Sequence, residues 1–130
     1  MPIKKNASRQ APIVAHLSIG FADPVAGTAE EAIELPGNAI VIGGAVTVVT
    51  PWNGTSATLK LGDAADDDRY TAAAVDLKAA GHTPLTLTGF QHMTAESLKT
   101  LVAAAGTATA GVAYVTVQYY VPGRSAFTQG

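Results

Sequence analysis

Any chemistry in this sequence would have to come from a few residues. The first place to look is the acidic stretch Gly62-Asp63-Ala64-Ala65-Asp66-Asp67-Asp68-Arg69-Tyr70. A Ca²⁺ loop of the EF-hand type needs oxygens at alternating positions, a glycine at the sixth and a carboxylate at the twelfth. Counting from Asp63 puts Ala65 third and Asp68 sixth, and counting from Asp66 puts Thr71 sixth, so the pattern fails. Asp66, Asp67 and Asp68 are left as a weak Ca²⁺ candidate. A solvated turn at a strand end, with Tyr70 folded back onto the body, accounts for the same residues without an ion. The histidines His16, His82 and His92 lack the His-x-x-x-His or Glu-x-x-His spacing of a zinc helix. A lone histidine in a β domain is more often structural than catalytic, and a His–carboxylate pair would have to be made by the fold. There is no cysteine and no G-x-S-x-G elbow. Ile42-Gly43-Gly44-Ala45 lacks the pattern of a phosphate-binding loop and reads as a bulge or bend. No catalytic residue can be named, no cofactor is implied, and the expectation is a protein that is not an enzyme.

Binding is the other option, and the aromatic residues would carry it. Trp52, beside Asn53-Gly54, is the candidate exposed anchor, and carbohydrate binding is the rival reading that it supports. In the last long apolar run, Ala113, Val115, Val117, Tyr119 and Val121 fall on one face, and Tyr114, Thr116, Gln118 and Tyr120 on the other. The first face can fill a core. The second is still partly aromatic, and a subunit interface is the economical way to cover it.

Strands must position these residues, because the dominant period is two. Ile13, Ala15, Leu17, Ile19 and Phe21 alternate with Val14, His16, Ser18 and Gly20; Ala57, Leu59 and Leu61 alternate with Thr58 and Lys60; Leu85 and Leu87 alternate with Thr86 and Thr88. Asn53-Gly54 predicts a hairpin between residues 46–52 and 56–61, and Ala110-Gly111 a tight turn before the last strand. Pro24, Pro36, Pro51, Pro84 and Pro122 sit at the edges of runs, as a ladder that needs N–H donors requires. Residues 94–105 fit a helix through Leu98, Leu101, Val102 and Ala105, and equally a strand through Leu98, Thr100, Val102 and Ala104; the β character of residues 106–111 favours the strand. About eight short strands predict an all-β, single-domain antiparallel β-sandwich, jelly-roll-like, although an immunoglobulin-like sandwich has a similar strand count.

The 130 residues fit one domain, with 48% hydrophobic and 14% charged. The longest apolar stretch, residues 39–49, is broken by Gly43 and Gly44 and falls short of the roughly 18–20 residues of a membrane span; no secretory leader is recognisable. Lys4, Lys5 and Arg9 give residues 1–10 a charge of +3, while residues 11–130 set five bases against ten acids, a net −5. A basic arm on an acidic body argues against a nucleic-acid-binding domain, whose basic face would lie on the fold itself. It suits an arm laid on a more acidic protein surface. The division is a flexible arm (1–10), a sandwich (11–124) and a tail (125–130).

Three stretches carry a resemblance: Thr50-Pro-Trp-Asn-Gly-Thr55; Leu61-Gly-Asp-Ala-Ala-Asp-Asp-Asp-Arg-Tyr70 with Ala72-Ala-Ala-Val-Asp-Leu77; and the closing Tyr119-Tyr-Val-Pro-Gly-Arg124. Together they resemble the capsid cement (decoration) proteins of tailed bacteriophages. The resemblance implies a virion protein on the capsid exterior, bound to the major capsid protein and to copies of itself as homodimer or homotrimer, with no chemistry. On that reading Lys4, Lys5 and Arg9 contact the capsid, and Tyr114, Thr116, Gln118 and Tyr120 contact other copies. A tail- or head-fibre-associated module is the alternative within the virion.

Overall fold

The structure, a computed structural model, describes residues 2–103, 108–125 and 127–128. Residues 104–107, and with them Ala104 and Ala105 of the ambiguous segment, lie outside the described residues, as do 126, 129 and 130 of the tail. Among the described residues eleven strands follow one another: β1 (Ser8–Arg9), β2 (Ile13–Gly20), β3 (Ala29–Leu35), β4 (Ala39–Thr50), β5 (Thr58–Gly62), β6 (Val75–Asp76), β7 (Gly81–Pro84), β8 (Gln91–His92), β9 (Glu96–Ala103), β10 (Val112–Tyr120) and β11 (Phe127–Thr128). One sheet runs β2-β10-β4-β7, with β8 also on β4; the other runs β3-β9-β5-β6; β1 and β11 form a separate ribbon. All pairs are antiparallel. The orders β2-β10-β4-β7 and β3-β9-β5-β6 are those of a jelly roll, which decides between the two sandwich types.

The alternation read in the sequence sets the faces. Ala113, Val115, Val117, Tyr119 and Val121 are buried against Ile33, Leu59, Leu61, Leu98 and Val102 of the other sheet in one apolar core. Each Leu or Val side chain so buried stabilises the fold by roughly 1.5–3 kcal/mol. Between Gln118 and Tyr119 the register on β4 jumps from Gly43 to Val41, leaving Ile42 as the extra residue of a bulge. Gly44 has φ of 137°, and a Cβ there would lie 2.2 Å from the Thr116 carbonyl oxygen, so the bulge needs its glycine.

Three expectations are corrected. Asn53-Gly54 is not a hairpin tip, because β4 and β5 belong to different sheets. The Asn53 side chain instead clamps a distant loop: Oδ1 accepts the N–H groups of Thr109 (2.7 Å) and Ala110 (3.1 Å), and Nδ2 donates to Thr109 Oγ1 (2.7 Å). Trp52 is not an exposed anchor but is 1% exposed, because the crossing from sheet to sheet carries it over the end of the core. Its backbone N–H donates to Leu77 O (2.8 Å) and its ring lies on Gly111. The strand expected at residues 85–88 lies earlier, at Gly81–Pro84. Leu85 N–H still reaches Gly44 O, but Thr86 N–H donates to Tyr70 O instead, so the pairing with β4 ends there. In residues 94–105 the strand prevails over the helix for the described part, because β9 pairs with β3 on one side and β5 on the other.

Gly111 has φ of 150°, and a Cβ there would lie 2.5 Å from Trp52 Cγ. Gly111→Ala should destabilise the fold by about 2–4 kcal/mol through backbone strain and overpacking. Urea unfolding measures this; a loss within error of zero would mean that the Trp52 contact is not a constraint.

Candidate functional site

The two sheets present unlike outer surfaces. The strands β2, β10, β4 and β7 contain no Asp, Glu, Lys or Arg, whereas β3, β9, β5 and β6 contain Glu30, Glu31, Glu34, Glu96, Lys99, Lys60 and Asp76. The uncharged face is also partly apolar: Tyr114 is 41% exposed, Val14 51%, Ile42 43% and Val49 56%. β10 runs through its middle. Tyr114 lies between Ser18 and Thr47, Thr116 between His16 and Ala45, and Gln118 between Val14 and Gly43. Thr116, Gln118 and Tyr120 are half-buried on that same face. His82, on the neighbouring β7, lies 3.4 Å from Thr47 Oγ1 through its Nδ1.

The arm and the tail meet. Ser8 and Arg9 pair with Thr128 and Phe127, and Gln10 locks the junction: its Nε2 donates to Val121 O (2.7 Å) and Arg124 O (3.0 Å), and its Oε1 accepts Val121 N–H (3.0 Å). Arg9 is exposed, with Nη1 donating to Ser8 O and Asn6 O; Lys4 and Lys5 are exposed before it. Between ribbon and sheet lies an open cleft of about 560 Å³, lined among others by Arg9, Gln10, Ile42, Tyr120 and Arg124 and, among the described residues, by no acidic one. The fold thus brings Arg9 of the arm to Tyr120 of the uncharged face.

Sequence reasoning missed the most tightly built polar group. Asp63 is buried; its Oδ1 accepts the N–H groups of Ala65 (3.0 Å) and Asp66 (2.9 Å), and its Oδ2 accepts Arg69 Nε (2.6 Å). The Arg69 guanidinium lies 3.6 Å from the centre of the Phe90 ring. The fully buried His92 has Nδ1 2.8 Å from Glu96 Oε2 and Nε2 2.6 Å from the Tyr70 hydroxyl. A carboxylate only accepts, so Nδ1 carries a proton towards Glu96, and the Tyr70 hydroxyl closes the other side of the ring at Nε2. Burial pushes the Tyr70 phenol up to about 12. Burial alone would also raise Asp63, but Arg69 and the backbone N–H groups outweigh it and hold the carboxyl below 3.8.

A carboxylate, an imidazole and a hydroxyl in line have the order of a hydrolytic triad, but this hydroxyl is buried and hard to ionise. The cavity that Glu96 lines is lined by neither His92 nor Tyr70. Asp63, His92 and Glu96 lie close enough to hold a cation, yet the Arg69 guanidinium already occupies Asp63. The group is a lock that pins residues 62–70 and 90–96 to one end of the sandwich. His92-x-x-x-Glu96 was its signal, in a spacing usually read on helices. Asp66, Asp67 and Asp68 do come together, with carboxylate oxygens within 4.8 Å of one another. Lys60 stands 3.8 Å from Asp67, and Asp66 Oδ1 accepts Asp68 N–H. Hydrogen bonding to Asp66, with burial and the neighbouring acids, raises Asp68.

No protein-family model matches the sequence, and no curated protein matches it. Solved structures do. A chain of the cyanophage Pam1 capsid asymmetric unit matches with a TM-score of 0.65 and 25% identity, over 94% of this chain and 100% of that one. A chain of the acidic stable capsid of Helicobacter pylori bacteriophage KHP30 matches with a TM-score of 0.69 and 15% identity, over 92% and 94%. A chain of the Ralstonia phage GP4 capsid gives 0.59 and 21%, over 95% and 91%. Each of these three is a phage capsid structure, and the likeness spans nearly the full length of both chains each time.

Because Asp63 is held low, its stabilising effect is complete above the ordinary carboxylate range and is lost as pH falls through the lowered value. Asp63→Asn should lower stability at pH 7 and flatten its decline below about pH 4. Tyr70→Phe leaves buried His92 Nε2 without its hydrogen-bond partner and should cost about 1–3 kcal/mol. Thermal melts of both variants from pH 2 to 7 check this; a wild-type acid profile in Asp63→Asn, or an unchanged melt in Tyr70→Phe, would show that the lock is not stabilising.

Proposed function

We propose that this chain is a structural protein of a phage virion that binds the outer surface of the capsid and stabilises it by bridging capsid-protein subunits. The observation that carries the proposal is the contrast between the two sheets, one face charged and the other free of charge. A surface that stays in water has little reason to exclude every charged side chain, whereas the centre of an interface does. The full-length likeness to chains of phage capsids supports the same reading.

The parts divide accordingly. Lys4, Lys5 and Arg9 attach to acidic surface on the major capsid protein, and the face of Tyr114, Thr116, Gln118 and Tyr120 is covered by neighbouring copies. A specific contact of this kind buries about 800 Å² per partner. Repeated over a lattice, even modest contacts hold a shell together, because each bound neighbour raises the effective concentration of the next. No step of this role needs an ion, a cofactor or a reacting group. The carbohydrate reading loses its anchor with Trp52 in the core.

Co-sedimentation with purified capsids tests the proposal. The chain should bind, and removing residues 1–10, or reversing charge with Lys4→Glu, Lys5→Glu and Arg9→Glu together, should weaken binding at least about tenfold, with a shallower salt dependence. Tyr114→Glu should weaken it through the sheet face. Failure of the wild-type chain to bind capsids would overturn the function; unchanged binding without residues 1–10 would overturn the role of the arm alone.

A further inference from the structure

The two sheets have four edges, and sequence features close three of them. β3 carries Glu30, Glu31 and Glu34 and a bulge at Ala32, both of which discourage a further strand. β6 has two residues. β7 and β8 share an edge with four and two, and β7 ends at Pro84. β2 has none of these protections. Its eight residues, Ile-Val-Ala-His-Leu-Ser-Ile-Gly, contain no charge and no proline, and its register on β10 is unbroken from Ile13↔Tyr119 to Gly20↔Val112.

The phase of the ladder identifies the free groups. Phe21 N–H donates to Gly111 O (3.0 Å), so Ile13, Ala15, Leu17 and Ile19, in phase with it, turn their backbone groups towards β10. Gly20 points the other way, and Asp23 takes both of its groups: Oδ2 accepts Gly20 N–H (2.7 Å), and Asp23 N–H donates to Gly20 O (3.0 Å). The N–H and C=O groups of Val14, His16 and Ser18 therefore leave the edge outward. All three residues are exposed, and among the described residues no strand pairs with β2 on that side. Inside the same edge Ala15 and Leu17 are only partly buried.

We propose that β2 pairs antiparallel with β2 of a second copy of this chain, about a two-fold axis at His16. In that register Val14 faces the second copy's Ser18, His16 faces His16, and Ser18 faces Val14, so every free backbone group on both strands gains a partner. A shift of two residues leaves part of each edge unpaired. A second copy is the fitting occupant because the edge is complementary to itself and, having no charge, sets no like charges opposite one another. The two uncharged sheet faces then continue as one surface. This is a property of the free chain and stands whether or not the capsid reading does.

Sedimentation equilibrium of the full chain at about 0.1 mM should give twice the 13.2 kDa of the monomer. Hydrogen exchange followed by NMR should show the Val14, His16 and Ser18 amides slowed at least about tenfold relative to a dilute, dissociated sample. His16→Pro removes an N–H that β10 does not use and should give a folded monomer by circular dichroism and mass. His16→Lys sets two charges opposite each other at the axis and should weaken the dimer at least about tenfold at low salt, even if the proline variant fails to fold. A monomer at that concentration, an assembly of another size, fast exchange of the three amides in the assembly, or a dimer that survives His16→Lys would overturn the proposal.

Discussion

A jelly roll carries its chain over the rim of the sandwich at nearly every connection, and the polar groups that leave the ladders there must find partners inside the fold. The rest of this structure depends on how that is met. At one end Trp52 lies on Gly111, while Asn53 binds the backbone of Thr109 and Ala110. At the other, Asp63 gathers the turn before Arg69, and Tyr70, His92 and Glu96 join that turn to the start of β9. The first junction is mainly a packing constraint, in which a glycine exists to admit a ring. The second is a polar network whose buried members are satisfied, so that dropping one partner would strand another.

What was legible in the sequence follows from the range of the forces involved. In β10 the apolar period is two and burial follows it residue by residue; β2 follows it from Val14 to Gly20 and β5 from Thr58 to Leu61. The irregularity at Gly43-Gly44 was legible for a similar reason: the bulge lies next to it at Ile42, and only glycine fits the Gly44 backbone so close to Thr116. Asn53-Gly54 misled because its turn chemistry is local, whereas what decides the side chain is a loop 56 residues away. Trp52 misled likewise: sheet-to-sheet crossing, not distance from a presumed hairpin tip, sets its burial. Residues 96–103 satisfy both periods, and the two flanking strands chose between them. The His92 group joins segments more than twenty residues apart in the chain, which no pattern along the chain displays.

The uneven charge of the sequence has a definite place in the fold. Within the two sheets of the sandwich the few charged strand residues lie in one, the other has none, and the excess basic charge lies on residues 4–9. A β-sandwich with one uncharged sheet face and a basic extension is physically suited to be covered by neighbours. The cleft between ribbon and sheet joins the two features, because Arg9 and Tyr120 both line it.

The most direct measurement is a cryo-electron microscopy map of the phage particle that carries this chain. The expected map shows the jelly roll on the outer capsid surface, residues 2–9 lying along the major capsid protein, and the face of Tyr114 and Tyr120 covered by neighbouring density. A map with the chain absent from the capsid, or bound there with that face open to solvent and the charged sheet buried, would contradict the proposed role.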